Sequence, residues 1–198
     1  MRLFFALPLP ARIRARLASL STPALGKARW VPESQLHLTL RFVGEQEPAV
    51  ADALIDAVTE ARREAPWPPL ALRIRGVGLF GSPRRPRVLW AAVEPLAPLA
   101  EVAGALEAAV RSVGLEASTR PFAAHVTLAR FKRADTDAVT RFLRDRADFE
   151  TEGFEPADVV LYQSTLGPRG AVHEAVHRWP LAPRTNGAGD PEGTAGSR

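Results

Sequence analysis

Two short segments of this chain carry nearly the same pattern, and this repetition limits what the chain can fold into. The segments are residues 36–42 (LHLTLRF) and residues 124–131 (AHVTLARF). Each has a His and a Thr two positions apart among apolar residues, and the two histidines are 125 − 37 = 88 positions apart. The whole chain has only four histidines. Half of them therefore occupy matching positions, which is the strongest indication of function in the sequence.

Both segments are rich in Leu and β-branched residues, a composition typical of β-strands. Successive side chains on a strand point to opposite faces. His37 and Thr39 are therefore expected on one face of their strand, and His125 and Thr127 on one face of theirs. The residues expected to face a core behind them are Leu38, Leu40, Val126 and Leu128.

Each motif therefore offers an imidazole beside a hydroxyl. An imidazole can give or take a proton near neutral pH, and a hydroxyl can donate a hydrogen bond to an anionic oxygen. Two such pairs across a cleft would supply a general acid, a general base and two anion donors, which suffice for in-line displacement at phosphorus without a metal. A single His-x-Thr on a strand is most often structural. From the residues alone, a shared catalytic cleft and two structural copies both remain open.

Length and composition indicate an ordinary globular protein. A chain of 198 residues forms one domain or two small lobes. The absence of cysteine excludes disulfides and thiolate-bound metal. The net charge of +4 comes almost entirely from arginine, since lysine occurs only at 27 and 132. Arginine suits phosphate recognition in a partner such as RNA, although a GC-rich genome gives the same composition.

The N-terminal segment resembles a signal peptide only superficially. Its apolar run, residues 3–9, contains Pro8, and its arginines follow the run instead of preceding it. We interpret it as a strand followed by a helix. No stretch approaches the roughly 20 apolar residues of a membrane span. We expect a cytoplasmic monomer without membrane contact.

Periodicity and breakers predict helices over residues 10–20, 48–64, 95–113 and 137–146. Strands are predicted at 2–7, at both motifs, and at 70–74, 88–93, 154–164 and 172–179, with a basic loop at 81–87. The sequence therefore predicts an α+β fold of two pseudo-symmetric lobes with antiparallel sheets, helices on the outer faces and an active-site cleft between the lobes. The bilobal domain is expected to span 1–183. Residues 184–198, which lack apolar anchors, are expected to form a disordered tail.

The two motifs, HLTL at 37–40 and HVTL at 125–128, resemble the paired HxTx motifs of the 2H phosphoesterase superfamily. The flanking segments resemble the bacterial RNA 2′,3′-cyclic phosphodiesterases, also called 2′-5′ RNA ligases. The matching segments are RLFFAL at 2–7, LHLTLRFVG at 36–44, RPF at 120–122, HVTLAR at 125–130, LYQS at 161–164 and WPL at 179–181. The resemblance covers about residues 1–182. Ala124 departs from the proline usual in the family, which would set backbone shape and take no part in the chemistry.

The resemblance implies metal-independent hydrolysis of RNA 2′,3′-cyclic phosphate ends to a 2′-phosphate, without a cofactor. His125 would act as proton acceptor and His37 as proton donor, although substrate orientation decides between them. Thr39, Thr127 and Arg130 would bind the phosphate. Substrates would be RNA ends, such as those of tRNA fragments, or cyclic nucleotides. Ligation through a 2′-5′ linkage is feasible as the reverse reaction.

Other interpretations remain open. Phe42 could stack on a base or close the core at the end of its strand. Phe42, Phe122 and the arginines could form a single-stranded RNA-binding module without catalysis, and a phosphodiesterase for small cyclic nucleotides would share the same site. Arg84, Arg85 and Arg87 in the basic loop are weaker candidates for contacts with the upstream RNA backbone.

Residues 173–177 (HEAVH) match the HExxH pattern of zinc metalloproteases. That motif requires a helix, so that both histidines share one face, and a third ligand further along. Here Gly170 and Pro180 enclose only about nine residues, including the β-branched Val172 and Val176. The segment therefore favours a strand, and no metal site is expected.

Overall fold

The computed structural model describes residues 1–82, 84–167 and 170–182. The predicted tail at 184–198 lies outside these residues. Helices within them are α1 (Ala11–Ala18), α2 (Pro48–Glu64), α3 (Leu96–Ser112) and α4 (Thr136–Asp145), with 3-10 turns at Pro23–Leu25 and Glu33–Gln35. The strands are β1 (Arg2–Pro8), β2 (Arg29–Trp30), β3 (His37–Glu45), β4 (Arg73–Ser82), β5 (Arg85–Glu94), β6 (His125–Arg130), β7 (Asp158–Gly167) and β8 (Gly170–Pro180).

The strands form an antiparallel sheet in the order β4-β5-β6-β3-β1-β7-β8, with β2 added beside β6. The predicted α+β class with antiparallel strands is therefore confirmed. The two motif strands, β3 and β6, are neighbours at the centre. Within the described ranges they pair only through Leu38 and Val126. Within the sheet, this single pair connects two lobes: the His125 lobe, with β2, β4, β5 and β6, and the His37 lobe, with β1, β3, β7 and β8.

The lobes are not consecutive halves of the chain. In the His37 lobe, β1 pairs with β3 on one side and with β7 on the other, so that Leu3 lies opposite both Gly44 and Gln163. Strands from both ends of the chain therefore build this lobe. The β4-β5-β6 part of the His125 lobe comes from the continuous segment 73–130.

The core lies behind the motif strands. Leu38 and Leu40 on β3 are buried with Val126 and Leu128 on β6. Helix α2 begins at Pro48 as predicted, since proline suits the first helical turn. Helix α3 buries its predicted apolar face and packs against both α2 and β3. The motif histidines and threonines are thereby left on the opposite face of their strands. Among the described helices, none is long and apolar enough to cross a membrane.

The hairpin formed by β4 and β5 differs from its predicted form. The strand predicted at 70–74 is β4 over Arg73–Ser82, and most of the predicted basic loop belongs to β4 and β5. Gly76 has a φ of +78°, where the ladder shifts register between Ile74 and Val77. Glycine adopts this conformation at little cost, so the strand continues through a bulge where the sequence suggested an end.

Candidate active site

The two His-x-Thr motifs face the same side of the sheet at its centre. Their histidines and threonines are half-buried, and the residues between them are buried. In the register of the single bridging pair, His37 lies opposite Thr127 and Thr39 opposite His125. The histidines are then diagonal neighbours, a relationship in which residues are roughly 7–8 Å apart and their Cβ atoms somewhat closer. Each imidazole therefore has a hydroxyl beside it on its own strand and another across the strand gap.

Two clefts open on this face. The His37 cleft has a volume of about 480 Å³ and is lined by His37. The His125 cleft has a volume of about 870 Å³ and is lined by His125. Four residues line both clefts: Thr39, Phe42, Thr127 and Arg130. The groups expected to bind phosphate therefore lie at the junction of the two clefts, with one motif histidine on each side.

Both motif histidines are oriented in the same way. Nδ1 of His37 lies 2.7 Å from the carbonyl oxygen of Gln35, and Nδ1 of His125 lies 2.7 Å from the carbonyl oxygen of Ala123. A carbonyl only accepts, so each Nδ1 carries the hydrogen and donates it. In the neutral ring Nε2 then holds a free lone pair. Both imidazoles are thus arranged to exchange a proton through Nε2.

The surroundings disfavour the protonated form of both rings. Burial lowers the pKa of His37 to about 4; the Gln35 carbonyl opposes this, and nearby positive charge, including that of Arg130, adds to it. Burial also lowers the pKa of His125, again against its backbone hydrogen bond and with a contribution from Arg130. An anionic ligand at the junction would raise both pKa values, since it favours the charged imidazoles.

Aromatic side chains from neighbouring strands fix the two rings. The ring centroid of Phe4 on β1 lies 5.1 Å from that of His37. On the other side, Phe80 meets His125 edge-on at 4.8 Å, and Trp90 lies 6.4 Å from it. Gly78 provides the room for Trp90, because a Cβ there would overlap three indole carbons, the farthest at 2.9 Å. The sequence did not single out these aromatic residues as part of the site, because only strand pairing brings them to the motifs.

Phe42 is 46% exposed at the junction, so the alternative in which it closes the core is wrong. The guanidinium carbon of Arg2 lies 5.0 Å from its ring centre. Base stacking by Phe42 remains a prediction. Of the predicted basic loop, Arg87 lines the His125 cleft, whereas Arg84 and Arg85 are exposed and line neither cleft.

The HEAVH segment lies on β8, so the helical zinc motif considered for it is wrong. His177 packs against Trp179, with ring centroids 4.5 Å apart. His173 instead lines the His37 cleft, 5.2 Å from the ring of His37. In the described parts of the chain, no group of three or more His, Cys, Asp or Glu residues could hold a metal ion. His173 was not predicted at this site, because its approach to His37 depends on the pairing of β1, β7 and β8.

The chain is similar to known phosphoesterases both in sequence and in structure. A family model for LigT like phosphoesterases matches residues 7–90 and 92–173. The chain is 36% identical over 190 residues to a Thermus thermophilus protein named RNA 2′,3′-cyclic phosphodiesterase, covering 91% of this chain and 90% of that protein. The crystal structure of TT0787 from T. thermophilus has a TM-score of 0.75 and 28% identity, covering 93% of this chain and 100% of that one. E. coli LigT complexed with 3′-AMP has a TM-score of 0.67 and 26% identity, covering 91% of this chain and 97% of that one.

Proposed function

The chain belongs to the LigT-like phosphoesterase family, and we propose that it hydrolyses 2′,3′-cyclic phosphate ends of RNA to 2′-phosphomonoesters. The observation that carries this proposal is the pair of imidazoles with free Nε2 atoms on either side of one anion-binding junction. A relative that shares most of this chain's length is named for this activity. RNA processing of this kind would place the protein in the cytoplasm, with residues 1–183 as the catalytic unit.

The reaction needs one proton accepted and one donated. Nε2 of His125 accepts a proton from water as the water oxygen bonds to phosphorus. The bond between phosphorus and the 3′ oxygen breaks, and Nε2 of protonated His37 delivers a proton to that oxygen. Binding of the phosphodiester anion raises the pKa of His37 from about 4 and so favours the protonated acid. Proton exchange with solvent restores both rings.

The non-bridging oxygens would be held at the junction. Thr39 and Thr127 can each donate a hydroxyl hydrogen bond, and Arg130 can add a charge-assisted contact. These groups compensate the negative charge on the non-bridging oxygens in the transition state. With two imidazoles to transfer protons and a guanidinium to offset charge, we propose that turnover needs no metal ion. Attack by a 5′ hydroxyl in place of water would form a 2′-5′ linkage by the same steps.

The decisive experiment uses adenosine 2′,3′-cyclic phosphate and a short RNA with the same end, each with EDTA present. Phosphorus NMR of the mononucleotide product distinguishes 2′-AMP from 3′-AMP. We expect 2′-AMP and undiminished turnover in EDTA. Formation of 3′-AMP would mean that the other P–O bond breaks. Loss of turnover that zinc restores would contradict metal independence.

A phosphodiesterase for small cyclic nucleotides is the second candidate, because the junction is open on both sides and a solved relative is complexed with the mononucleotide 3′-AMP. The ratio of kcat/KM for the oligonucleotide to that for the mononucleotide separates the two. A ratio near one would favour the small substrate. Binding of RNA without turnover of either substrate would favour the non-catalytic RNA-binding module.

A further inference from the structure

A third imidazole, that of His173 on β8, lies in the His37 cleft. Its ring centroid is 5.2 Å from that of His37, with the two planes almost perpendicular at 84°, and 5.0 Å from that of Phe4. Nδ1 of His173 is buried and has no hydrogen-bond partner in the described part of the chain. This is the reverse of His37 and His125, where Nδ1 is the atom that the backbone holds.

The unpartnered Nδ1 determines the proton position on His173. Either nitrogen of a neutral imidazole can carry the hydrogen, and a buried N–H without an acceptor carries a full desolvation penalty. Nδ1 is therefore the unprotonated nitrogen, and Nε2 carries the hydrogen. Protonating both nitrogens would bury a charge together with an unpaired donor. Burial accordingly lowers the pKa of His173 below its ordinary value.

Nε2 of His173 is free to donate into the cleft. His173 lines the His37 cleft, and no hydrogen bond of its Nε2 is found within the described residues. Among the described residues that line the His37 cleft, three are arginines and none carries a carboxylate. The acceptor for this donor is therefore to be supplied by the ligand, and an arginine-lined cleft favours an anionic ligand rich in oxygen.

Gln35 links the segment that leads into His37 to the strand that carries His173. The carbonyl of Gln35 accepts the Nδ1 hydrogen of His37, and the side-chain amide of Gln35 donates to the carbonyl of Ala171, 2.5 Å away on β8. The two imidazoles are thus attached to the same short segment. With ring centroids 5.2 Å apart, both imidazoles border the same part of the cleft.

We propose that His173 is a substrate-binding residue whose Nε2–H donates a hydrogen bond to an oxygen of the terminal nucleotide in the His37 cleft. The inference rests on the proposed function, because it takes the ligand to be a nucleotide 2′,3′-cyclic phosphate. His173 transfers no proton; it holds the nucleotide on the side where His37 meets the 3′ oxygen. His37 and His125 would then transfer protons, whereas His173 would only donate a hydrogen bond.

Nitrogen-15 NMR of the imidazoles tests the proton position without any activity. In the full-length protein at about pH 7.5, where neutral imidazoles are expected, His37 and His125 should be protonated on Nδ1 and His173 on Nε2. The His173→Phe variant assigns the signal by its disappearance. A His173 ring protonated on Nδ1 would overturn the inference.

Kinetics of two variants test the contact. His173→Phe keeps the ring contacts but has no donor, and His173→Gln keeps an N–H near the position of Nε2. With adenosine 2′,3′-cyclic phosphate, we expect His173→Phe to raise KM roughly tenfold with kcat within about twofold, as for one lost hydrogen bond, and His173→Gln to recover most of the affinity. Unchanged KM in His173→Phe, or equal losses in both variants, would overturn the contact.

The failure of the proposed function is distinguishable from the failure of this inference. If the wild-type protein turns over no cyclic phosphate, the proposed function is wrong. Calorimetric titration with 2′-AMP then decides the role of His173. Weaker binding in His173→Phe than in His173→Gln supports the hydrogen bond, and equal binding in the two refutes it. Thermal melting of both variants checks that each is folded.

Discussion

Arg41 on β3 and Glu107 on α3 form an ion pair, with Nε of the arginine 2.5 Å from Oε2 of the glutamate. The same guanidinium donates to the carbonyl of Glu116 at 2.7 Å, and the glutamate accepts from the backbone N–H of Ser118 at 2.9 Å. The pair therefore joins a motif strand and a helix to the loop that leads into His125. The side chains of the pair are only 12% and 27% exposed, so solvent screens the interaction weakly.

Glu107→Ala is expected to lower kcat/KM by roughly tenfold. It releases the loop whose Ala123 carbonyl orients His125, and small displacements of a catalytic group carry large kinetic penalties. Glu60→Ala is the matched control, because its pair with Arg63 is largely exposed and contributes little. Steady-state kinetics and thermal unfolding should be measured together. A lowered melting temperature with unchanged kcat/KM would show that the pair supports only the fold.

The pH dependence should report the lowered histidine pKa values. One imidazole must be neutral and the other protonated, so kcat/KM rises as the base loses its proton and falls as the acid loses its own. Both pKa values lie below 6.5 in the free protein, that of His37 at about 4. The maximum of kcat/KM should therefore lie below pH 6.5. The maximum of kcat should lie at a higher pH than that of kcat/KM, because the bound phosphodiester raises the pKa values of both histidines. A kcat/KM maximum above about pH 7 would contradict this assignment.

Removing either motif histidine should nearly abolish turnover. We expect His37→Ala and His125→Ala each to lower kcat by roughly 10²–10⁴-fold, the range for a general acid or base. Thr39→Ala and Thr127→Ala should each cost about tenfold or less, since each removes one neutral hydrogen bond. His177→Ala is the matched control, because that ring packs on Trp179 and lines neither cleft. Near-normal turnover in either motif variant would refute the paired mechanism.

Gly78→Ala should impair catalysis although it lies outside the motifs. The added methyl group overlaps the Trp90 indole, which must then shift against Phe80 and His125. We expect kcat to fall roughly tenfold as the imidazole loses its fixed orientation. Gly153→Ala serves as the control, since the Cβ would meet its nearest neighbour at an ordinary 3.8 Å. Equal activity in the two variants would show that Phe80 and Trp90 can rearrange without disturbing His125.

Substitution of individual arginines should distinguish contacts with the reacting phosphate from contacts with the rest of the RNA. Arg130→Ala is expected to lower kcat/KM even for a mononucleotide, because this side chain lies at the junction. Arg87→Ala should impair only longer RNA and reduce the salt dependence of binding by about one released counterion. Arg84→Ala, exposed and outside both clefts, is the control. Equal losses on short and long substrates after Arg87→Ala would assign that side chain to the reacting centre.

The sequence predicted those features of the fold and the site that depend on the pattern of neighbouring residues along the chain. Alternation along the strand placed His37 and Thr39 on one face, and the proline at 48 together with apolar periodicity predicted the bounds of α2. The clustering of the His-x-Thr motifs was predicted because the repetition itself suggested a shared cleft. Their neighbouring position in the sheet agrees with that reasoning, and the proton-transfer roles still await kinetics.

The sequence did not predict those features of the site that depend on pairing between strands far apart in the chain. Phe4, Trp90 and His173 reach the site only because β1, β5 and β8 take particular places in the sheet order. No short-range pattern encodes that order. His173 was considered only as part of a zinc motif, since a helix would have placed it beside His177. The strand predicted at 70–74 stopped short of Gly76 and Gly78, whereas Gly76 supports a bulge and Gly78 makes room for an indole.

The two lobes can complete their strand pairing only one after the other as the chain is translated. The β4-β5-β6 part of the His125 lobe can pair as soon as residues 73–130 have left the ribosome, since its contacts are nearly sequential. The first motif strand emerges earlier, yet its lobe waits for β7 and β8, because β1 remains an unpaired edge until they arrive. A nascent chain therefore carries both motif histidines before the His37 lobe is complete. Catalytic competence would be acquired only after β8 has left the ribosome, which makes activity a sensitive reporter of the folding of both lobes.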